Sequence, residues 1–312
     1  MDTVNLFFAC DDNYIPFLAV TIASIKENRD PSRNYELRIL HTGLQAQNIR
    51  RLTDSFNSAR FSIEFVNISK NVAEFSDRLH TRDYYSKSTY YRLFIPELFP
   101  QLTKALYLDC DIVVLGDISR LYDVKLGSNL AGAVPDSMVT TIDPFRQYVQ
   151  NRLGISAENY FNAGVLLMNL DEMRRCRFSE VFLKLLQQVT FRVAQDQDYL
   201  NVICKDRVRY VSYEWNTMPG CLRTDAPNLI HFNLDCKPWQ RAGVAYSDVF
   251  WNYAERSGFL PEILAIRAGF TQEHIDRAAE QTENLIAMGQ RQARQRTQNM
   301  LIHWKIRRVV NL

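Results

Sequence analysis

Asp109 and Asp111 interrupt an otherwise apolar, β-prone run, Lys-Ala-Leu-Tyr-Leu-Asp-Cys-Asp-Ile-Val-Val-Leu, over residues 104–115. A run of this kind reads as a strand buried on both faces. Two carboxylates within it are costly to bury without a partner. The strand is therefore expected to end at Asp109, with a positive group at its tip. A divalent cation is the first candidate.

The elements around this motif set what it can do. Val4–Cys10 reads as a first strand, and Asp11, Asp12 and Asn13 follow it directly. An Asn or Asp cap with Pro16 in the first turn predicts a helix over 16–28, with Phe17, Val20, Ala23 and Ser24 on one face. Tyr35–His41 alternates as a strand, 45–58 reads as an amphipathic helix, and Phe61, Ile63 and Phe65 alternate as a third strand. This βαβαβ start predicts a parallel sheet with helices on its faces. Ligands of such sheets bind at the carboxyl ends of the strands. Asp11 and Asn13 end one strand and Asp109 and Asp111 end another, so both acidic clusters are expected at one crevice.

Further along, 69–87 reads as loop and short helix, Ser88–Phe99 as helix, Leu130–Val134 as strand and 141–153 as helix. Asn162–Asn169 is a strong strand, and Phe178–Gln188 an amphipathic helix. Gln195-Asp196-Gln197-Asp198 opens another helix, Val208–Tyr213 reads as a strand followed by an irregular stretch, and Leu229–Phe232 leads into the His231–Trp239 segment.

Composition narrows the class. The chain has 312 residues, 46% hydrophobic and 12% aromatic, enough for a sizeable α/β core. No apolar run approaches the ~18–20 residues of a membrane span. The acidic N-terminus does not read as a signal peptide. Six scattered cysteines with no Cys-x-x-Cys spacing argue against structural zinc or a disulfide framework and for a reducing, cytoplasmic setting. The net charge is +2, but residues 284–312 carry Arg291, Arg294, Arg296, Lys305, Arg307 and Arg308 with no Asp or Glu. The main body is therefore acidic, and nucleic acid is not its expected partner.

Asp-x-Asp alone is a weak pattern, and Asp196 and Asp198 repeat it. It also fits phosphatases of the haloacid dehalogenase class, where the first Asp is a covalent nucleophile. That class carries the motif near the start of its fold and a later acidic pair for Mg²⁺. Here residues 1–108 precede the motif, and no such pair follows.

The wider pattern is more specific. Phe8-Ala9-Cys10-Asp11-Asp12-Asn13-Tyr14, Ser88-Thr89-Tyr90-Tyr91-Arg92, Tyr107-Leu108-Asp109-Cys110-Asp111, Tyr160-Phe161-Asn162-Ala163-Gly164-Val165, Gln195-Asp196-Gln197-Asp198, Asn216-Thr217-Met218-Pro219 and His231 through Lys237-Pro238-Trp239 occur in this order. Together they resemble the retaining glycosyltransferases of family 8, most nearly the bacterial lipooligosaccharide and lipopolysaccharide α-galactosyl- and α-glucosyltransferases, from residue 4 to about 240.

The resemblance implies a GT-A catalytic domain over 1–265. It also implies transfer of galactose or glucose from a UDP-sugar to a glycan hydroxyl, with retention at the anomeric carbon. It makes Asp109, Asp111 and His231 ligands of Mn²⁺, with Mg²⁺ an alternative. Two carboxylates and an imidazole suit such an ion and leave positions open for diphosphate oxygens. Lys237 would bind the phosphates as a point charge. Asp11, Asn13 and Tyr14 would contact uridine, and Ala9 would contribute backbone. Cys110 falls in the donor-contact set by its place in the motif, its side chain expected in the core without a chemical role. Arg92, Asp136, Asn162, Gly164, Asp196 and Gln197 resemble positions around the transferred sugar. Gln197 and Asp196 lie nearest the catalytic question, and Asp198 reads as structural. A non-catalytic UDP-sugar-binding protein is the second reading.

One residue departs from the family pattern, which reads His-x-x-Gly-x-x-Lys-Pro-Trp. Leu234 stands where the glycine belongs. Glycine there permits close approach to the diphosphate or a positive φ. Residues 266–312 read as a basic helical tail, with Ile302, Ile306 and Val309 on one face, Trp304 at its edge, and His303, Arg307 and Asn311 opposite. Such a helix suits an anionic membrane surface, which would place the enzyme on the inner membrane face beside a lipid-linked acceptor.

Overall fold

The structure, a computed structural model, describes residues 3–73, 79, 87–221 and 224–310. Most of the loop expected over 69–87 falls outside these residues. The chain forms two compact units, each drawn from three separate stretches. The first comprises 1–71, 105–125 and 212–279; the second comprises 72–104, 126–211 and 280–312.

In the first unit, strands β1 (Thr3–Ala9), β2 (Asn34–His41), β3 (Phe61–Asn67) and β4 (Lys104–Leu108) run parallel in the order β3-β2-β1-β4. Leu6, Phe7 and Phe8 are all fully buried, so β1 is covered on both faces, as a parallel sheet requires. The helix Ile15–Asn28 differs from the single-faced helix expected. It is buried without a break from Ile15 to Ile25, because it packs against the strand Ile112–Val114 and the helices Ala46–Phe56, Ser247–Arg256 and Leu260–Gly269. Its buried hydroxyls are satisfied there. Thr21 Oγ1 donates to the Ile112 carbonyl at 2.7 Å, and Ser24 Oγ accepts from Val114 N–H at 2.9 Å.

The run 104–115 breaks at its acids. β4 stops at Leu108, and β5 (Ile112–Val114) pairs antiparallel with a distant strand, Leu229–His231. A single strand through Asp109 and Asp111 would bury both carboxylates in the sheet; the break turns them out at its end.

The second unit is built on β6 (Ala131–Pro135), β7 (Phe161–Asn169) and β8 (Val208–Tyr210). β6 lies in the middle, antiparallel to β7 and parallel to β8. The register slips between Ala133 and Pro135, a bulge that re-aims the end of β6. The helices Phe178–Gln188 and Asp196–Ile203 fall where expected. Two expected helices are instead fragmented. Residues 88–99 form a 3-10 stretch, Lys87–Phe94, and one short turn, Ile95–Leu98. Residues 141–153 form short helices broken before Pro144 and a π turn ending at Gly154, φ 70°.

The C-terminal stretch forms the helices Gln272–Ala293 and Arg296–Val310, and residues 280–312 group with the second unit. This corrects the expectation for the tail's apolar face. Ile302 and Val309 are buried, and Asn299 accepts at 2.9 Å from the buried Arg152 guanidinium. Lys305 donates to the Gln188 carbonyl at 2.9 Å. A buried guanidinium needs an acceptor, and Asn299 supplies it only when this face turns inward. The opposite face instead exposes Met300 (73%), Leu301 (51%) and Trp304 (48%). Asn311 lies outside the described residues. Among the described residues no helix is long and apolar enough to cross a membrane.

Candidate active site

Asp109 and Asp111 lie just past the end of β4. β9 (Leu229–His231) brings the third group to them. Its antiparallel register sets His231 opposite Ile112, and Phe232 N–H donates to the Asp111 carbonyl at 2.9 Å. One donor atom from each of Asp109, Asp111 and His231 lies within 4.8 Å of the others. His231 Nε2 is 3.2 Å from Asp111 Oδ1 and 3.7 Å from Asp109 Oδ2.

The other imidazole nitrogen is held from behind. His231 Nδ1 lies 3.1 Å from Asn216 Oδ1, a contact that fixes the ring with Nε2 toward the carboxylates. Asp111 Oδ1 is buried and receives no hydrogen bond. Two carboxylates and one imidazole nitrogen thus converge within reach of a single ion. A hard divalent cation fits this set of oxygens and one nitrogen, and no thiolate competes for it.

The surroundings hold the acids in place. Tyr107 hydroxyl donates to Asp109 Oδ1 at 3.0 Å, and the Thr21 hydroxyl that donates to the Ile112 carbonyl also lies 3.0 Å from the Cys110 carbonyl, bracketing the second acid. Lys237 Nζ, on a residue only 2% exposed, bonds Asp111 Oδ2 and the Phe232 carbonyl. Burial alone would raise the Asp111 carboxyl. The Lys237 ammonium and His231 overcome this and hold it well below the usual carboxylate range. Cys110 is buried, its thiol bonding the Ala9 carbonyl at 3.3 Å. The Cys10 thiol beside it and burial push the Cys110 thiol up.

β1 and β4 are parallel neighbours, so the turn after β1 lies at the same end of the sheet. Asp11 Oδ1 caps a short turn by accepting from Asn13 N–H at 3.0 Å. Asp12 is spent on a different task, accepting from Asn48 Nδ2 at 2.8 Å and from Gln45 N–H. Tyr14 packs edge-on to Phe17, and Lys237 Nζ stands 5.9 Å from the Tyr14 ring centre.

The second unit holds its own polar cluster. Asp136, after the β6 bulge, caps the helix Ser137–Thr141 through Oδ1. Its Oδ2 accepts from Asn162 Nδ2 at 3.2 Å and Gln197 Nε2 at 3.0 Å. Asn162 Oδ1 accepts from Gly164 N–H at 3.0 Å, and Gln197 Oε1 from Ala163 N–H at 2.9 Å. Arg92 donates to the carbonyls of Thr89 and Ala163, and its Nε is 3.2 Å from Asp196 Oδ2. Asp198 is fully buried and accepts from the Tyr148 and Tyr160 hydroxyls, each at 2.8 Å, and from Ala194 N–H at 3.1 Å.

The sequence points to no role for Asn216, Thr21 or Tyr107. Asn216 and Tyr107 each lie in one of the ordered motifs, their only signal, and Thr21 reads as an ordinary helix residue.

Leu234 lies on the loop between His231 and Lys237 with φ 50°. The chain thus keeps a backbone suited to glycine while carrying leucine. Strain of ~1–2 kcal/mol for an L residue there is close to the ~0.5–1 kcal/mol entropic cost of glycine plus the lost side-chain contact. Leu234→Gly should therefore shift Tm by less than ~2 °C. Leu234→Val, β-branched and worse at positive φ, should lower it by at least ~2 °C. Calorimetry checks this, and a valine variant as stable as the wild type would refute the left-handed assignment.

A mixed α/β fold with an Asp-x-Asp pair at a strand end, completed by a distant histidine, is that of a GT-A glycosyltransferase. The match can be made narrower: the chain belongs to Glycosyl transferase family 8, whose model matches residues 5–243. General stress protein A of Bacillus subtilis (strain 168) is 25% identical over 275 residues, covering 81% of this chain and 93% of that protein. The lipopolysaccharide 1,2-glucosyltransferase of Escherichia coli (strain K12) is 26% identical over 273 residues, covering 81% and 78%. The solved structure of galactosyltransferase LgtC, in complex with donor and acceptor sugar analogs, gives a TM-score of 0.67 at 28% identity. It covers 81% of this chain and 95% of that one. The WbbM bifunctional glycosyltransferase gives 0.71 at 27% identity over 85% of this chain, which spans about half (51%) of WbbM.

Proposed function

We propose that this chain is a retaining hexosyltransferase that moves galactose or glucose from a UDP-sugar to a glycan hydroxyl, forming an α-linkage. The observation that carries the reading is the Asp109–Asp111–His231 cluster, its ligand atoms within 4.8 Å of one another and Lys237 beside it. Asp109, Asp111 and His231 would hold Mn²⁺, which when bound supplies Lewis-acid stabilisation to the departing diphosphate. Lys237 adds positive charge on the phosphates. Asp11 Oδ1 holds the turn while its second oxygen accepts from the uracil N3–H. Asn13 and Tyr14 complete the base contacts, and Ala9 and Cys110 add backbone.

By the resemblance to family 8, Arg92, Asp136, Asn162, Gly164, Asp196 and Gln197 are the residues that would surround the hexose. Arg92 donates to sugar or phosphate oxygens, and Asp196 accepts from a sugar hydroxyl. Four donors already saturate Asp136, which fits a positioning role for Asn162 and Gln197. The Gln197 amide is engaged at both ends, and an amide is a poor nucleophile. Transfer is therefore read as front-face. The anomeric carbon–oxygen bond to phosphate breaks, the acceptor oxygen bonds that carbon on the same face, and the acceptor's proton passes to the released phosphate oxygen.

The direct test incubates the protein with UDP-galactose or UDP-glucose and Mn²⁺, with and without candidate acceptors, and measures UDP. Absence of UDP under all conditions would sink the transferase reading and leave a UDP-sugar-binding protein. UDP release that persists in EDTA would sink the metal role.

The Met300, Leu301 and Trp304 face, flanked by Arg307 and Arg308, is the part of the C-terminal helix suited to anionic lipid. Arg308 lies 4.7 Å from the Trp304 ring centre. Binding to vesicles rich in phosphatidylglycerol should weaken at least ~10-fold in Trp304→Ala/Arg308→Ala. Equal binding by that variant would refute the surface. This surface supports the reading of a cytoplasmic membrane-face enzyme that acts on a lipid-linked acceptor.

A further inference from the structure

Gln195 combines two costly features. It is 2% exposed, yet neither Oε1 nor Nε2 has a hydrogen-bond partner. A primary amide offers two donors and two acceptor sites, and buried polar atoms are almost always satisfied. Its backbone is also unusual, at φ 50° and ψ −118°, a conformation that side chains other than glycine's resist. Residues held in sparsely populated backbone regions cluster at ligand clamps. Leucine or methionine would fill the same volume without the unmet hydrogen bonds.

Its position suggests what retains it. Gln195 is the N-cap of the helix Asp196–Ile203 but makes no side-chain capping bond. The next two residues, Asp196 and Gln197, hold the ion pair to Arg92 and the bonds to Ala163 and Asp136. From these observations we infer that Gln195 is a sugar-binding residue, its amide taking hydroxyls of the transferred hexose. The inference rests on the donor reading above. An amide unmet at both ends matches a pair of neighbouring hydroxyls, each able to donate and accept. A partnerless amide also gives up no hydrogen bond when its side chain rotates to meet a ligand.

The test uses the full chain with Mn²⁺ and measures affinity for UDP, UDP-glucose and UDP-galactose by calorimetry, with Tm of the free protein alongside. The variants are Gln195→Leu and Gln195→Met. Both should be as stable as the wild type or more so, and both should bind UDP unchanged. Both should bind the UDP-hexose that the wild type prefers at least tenfold more weakly, with KM for that donor rising in step. Wild-type affinity for both UDP-hexoses in the variants overturns the inference, since a water molecule or nothing then fills the amide. A fall in Tm together with loss of UDP binding also overturns it, because the amide is then structural. A wild-type protein that binds neither UDP nor UDP-hexose overturns the donor reading itself, which is distinguishable from failure at Gln195 alone.

Discussion

Asp111→Ala is expected to abolish sugar transfer, lowering turnover at least ~10²-fold. One residue serves three neighbours. Oδ1 faces His231 Nε2, Oδ2 accepts from Lys237, and the main-chain carbonyl accepts from Phe232 N–H. Only the side-chain contacts are lost on truncation, so β5 and β9 stay paired. The buried Lys237 ammonium then loses its ion pair to Asp111, and the proposed cation site loses one of its three groups. Asp111→Asn keeps the shape and removes the charge, and it should fail nearly as completely. Wild-type turnover in a folded variant would refute the assignment. The pH dependence follows from the same contacts. The folded-state pKa of Asp111 is depressed, so its ionised form stabilises the fold at pH above about 4. That contribution disappears as the pH falls further toward the folded-state value. No loss of stability through Asp111 is expected between pH 5 and 8.

Asp198→Ala should produce the largest loss of stability. The carboxylate is fully buried and bonds two buried tyrosine hydroxyls and one backbone N–H. Burial already pushes both phenols well up, so neither hydroxyl can ionise to relieve the loss. Removing the shared acceptor leaves three donors unmet at once. Destabilisation of ~3–5 kcal/mol is expected, a fall in Tm of at least ~6 °C, read by calorimetry. Asp198 lies on the helix that carries Asp196 and Gln197, so activity should fall even at temperatures where the variant is folded. A variant within ~2 °C of wild type would show that the tyrosines find other partners.

Much of the site was legible because its residue types conflict with their surroundings. Two acids in an apolar strand cannot be ordinary core, and the structure breaks the strand at that point. Leu234 was marked only by comparison with a family glycine, and its backbone is left-handed. What stayed hidden depends on distant pairing. Nothing local shows that β5 would leave β4's sheet for β9, or that Asn216 would sit against the His231 ring. The tail misled for a similar reason. Its periodicity gives two faces, but only the buried Arg152 decides which of them turns inward. Gln195 was passed over because an amide beside two functional residues reads as part of their motif. Its unmet bonds appear only when its neighbours are in place.

The pairing of β5 with β9 also bears on how the chain is made. Asp111 and Lys237 are 126 residues apart, and most of the intervening chain belongs to the second unit. A ribosome adding ~5–20 residues per second needs roughly 6–25 s to pass from one to the other. For that interval two carboxylates wait at a strand end without their histidine or their lysine. The Asp109–Asp111–His231 cluster is therefore among the last features that can form during synthesis. A chain interrupted before residue 231 can complete the first three strands but not the centre they serve.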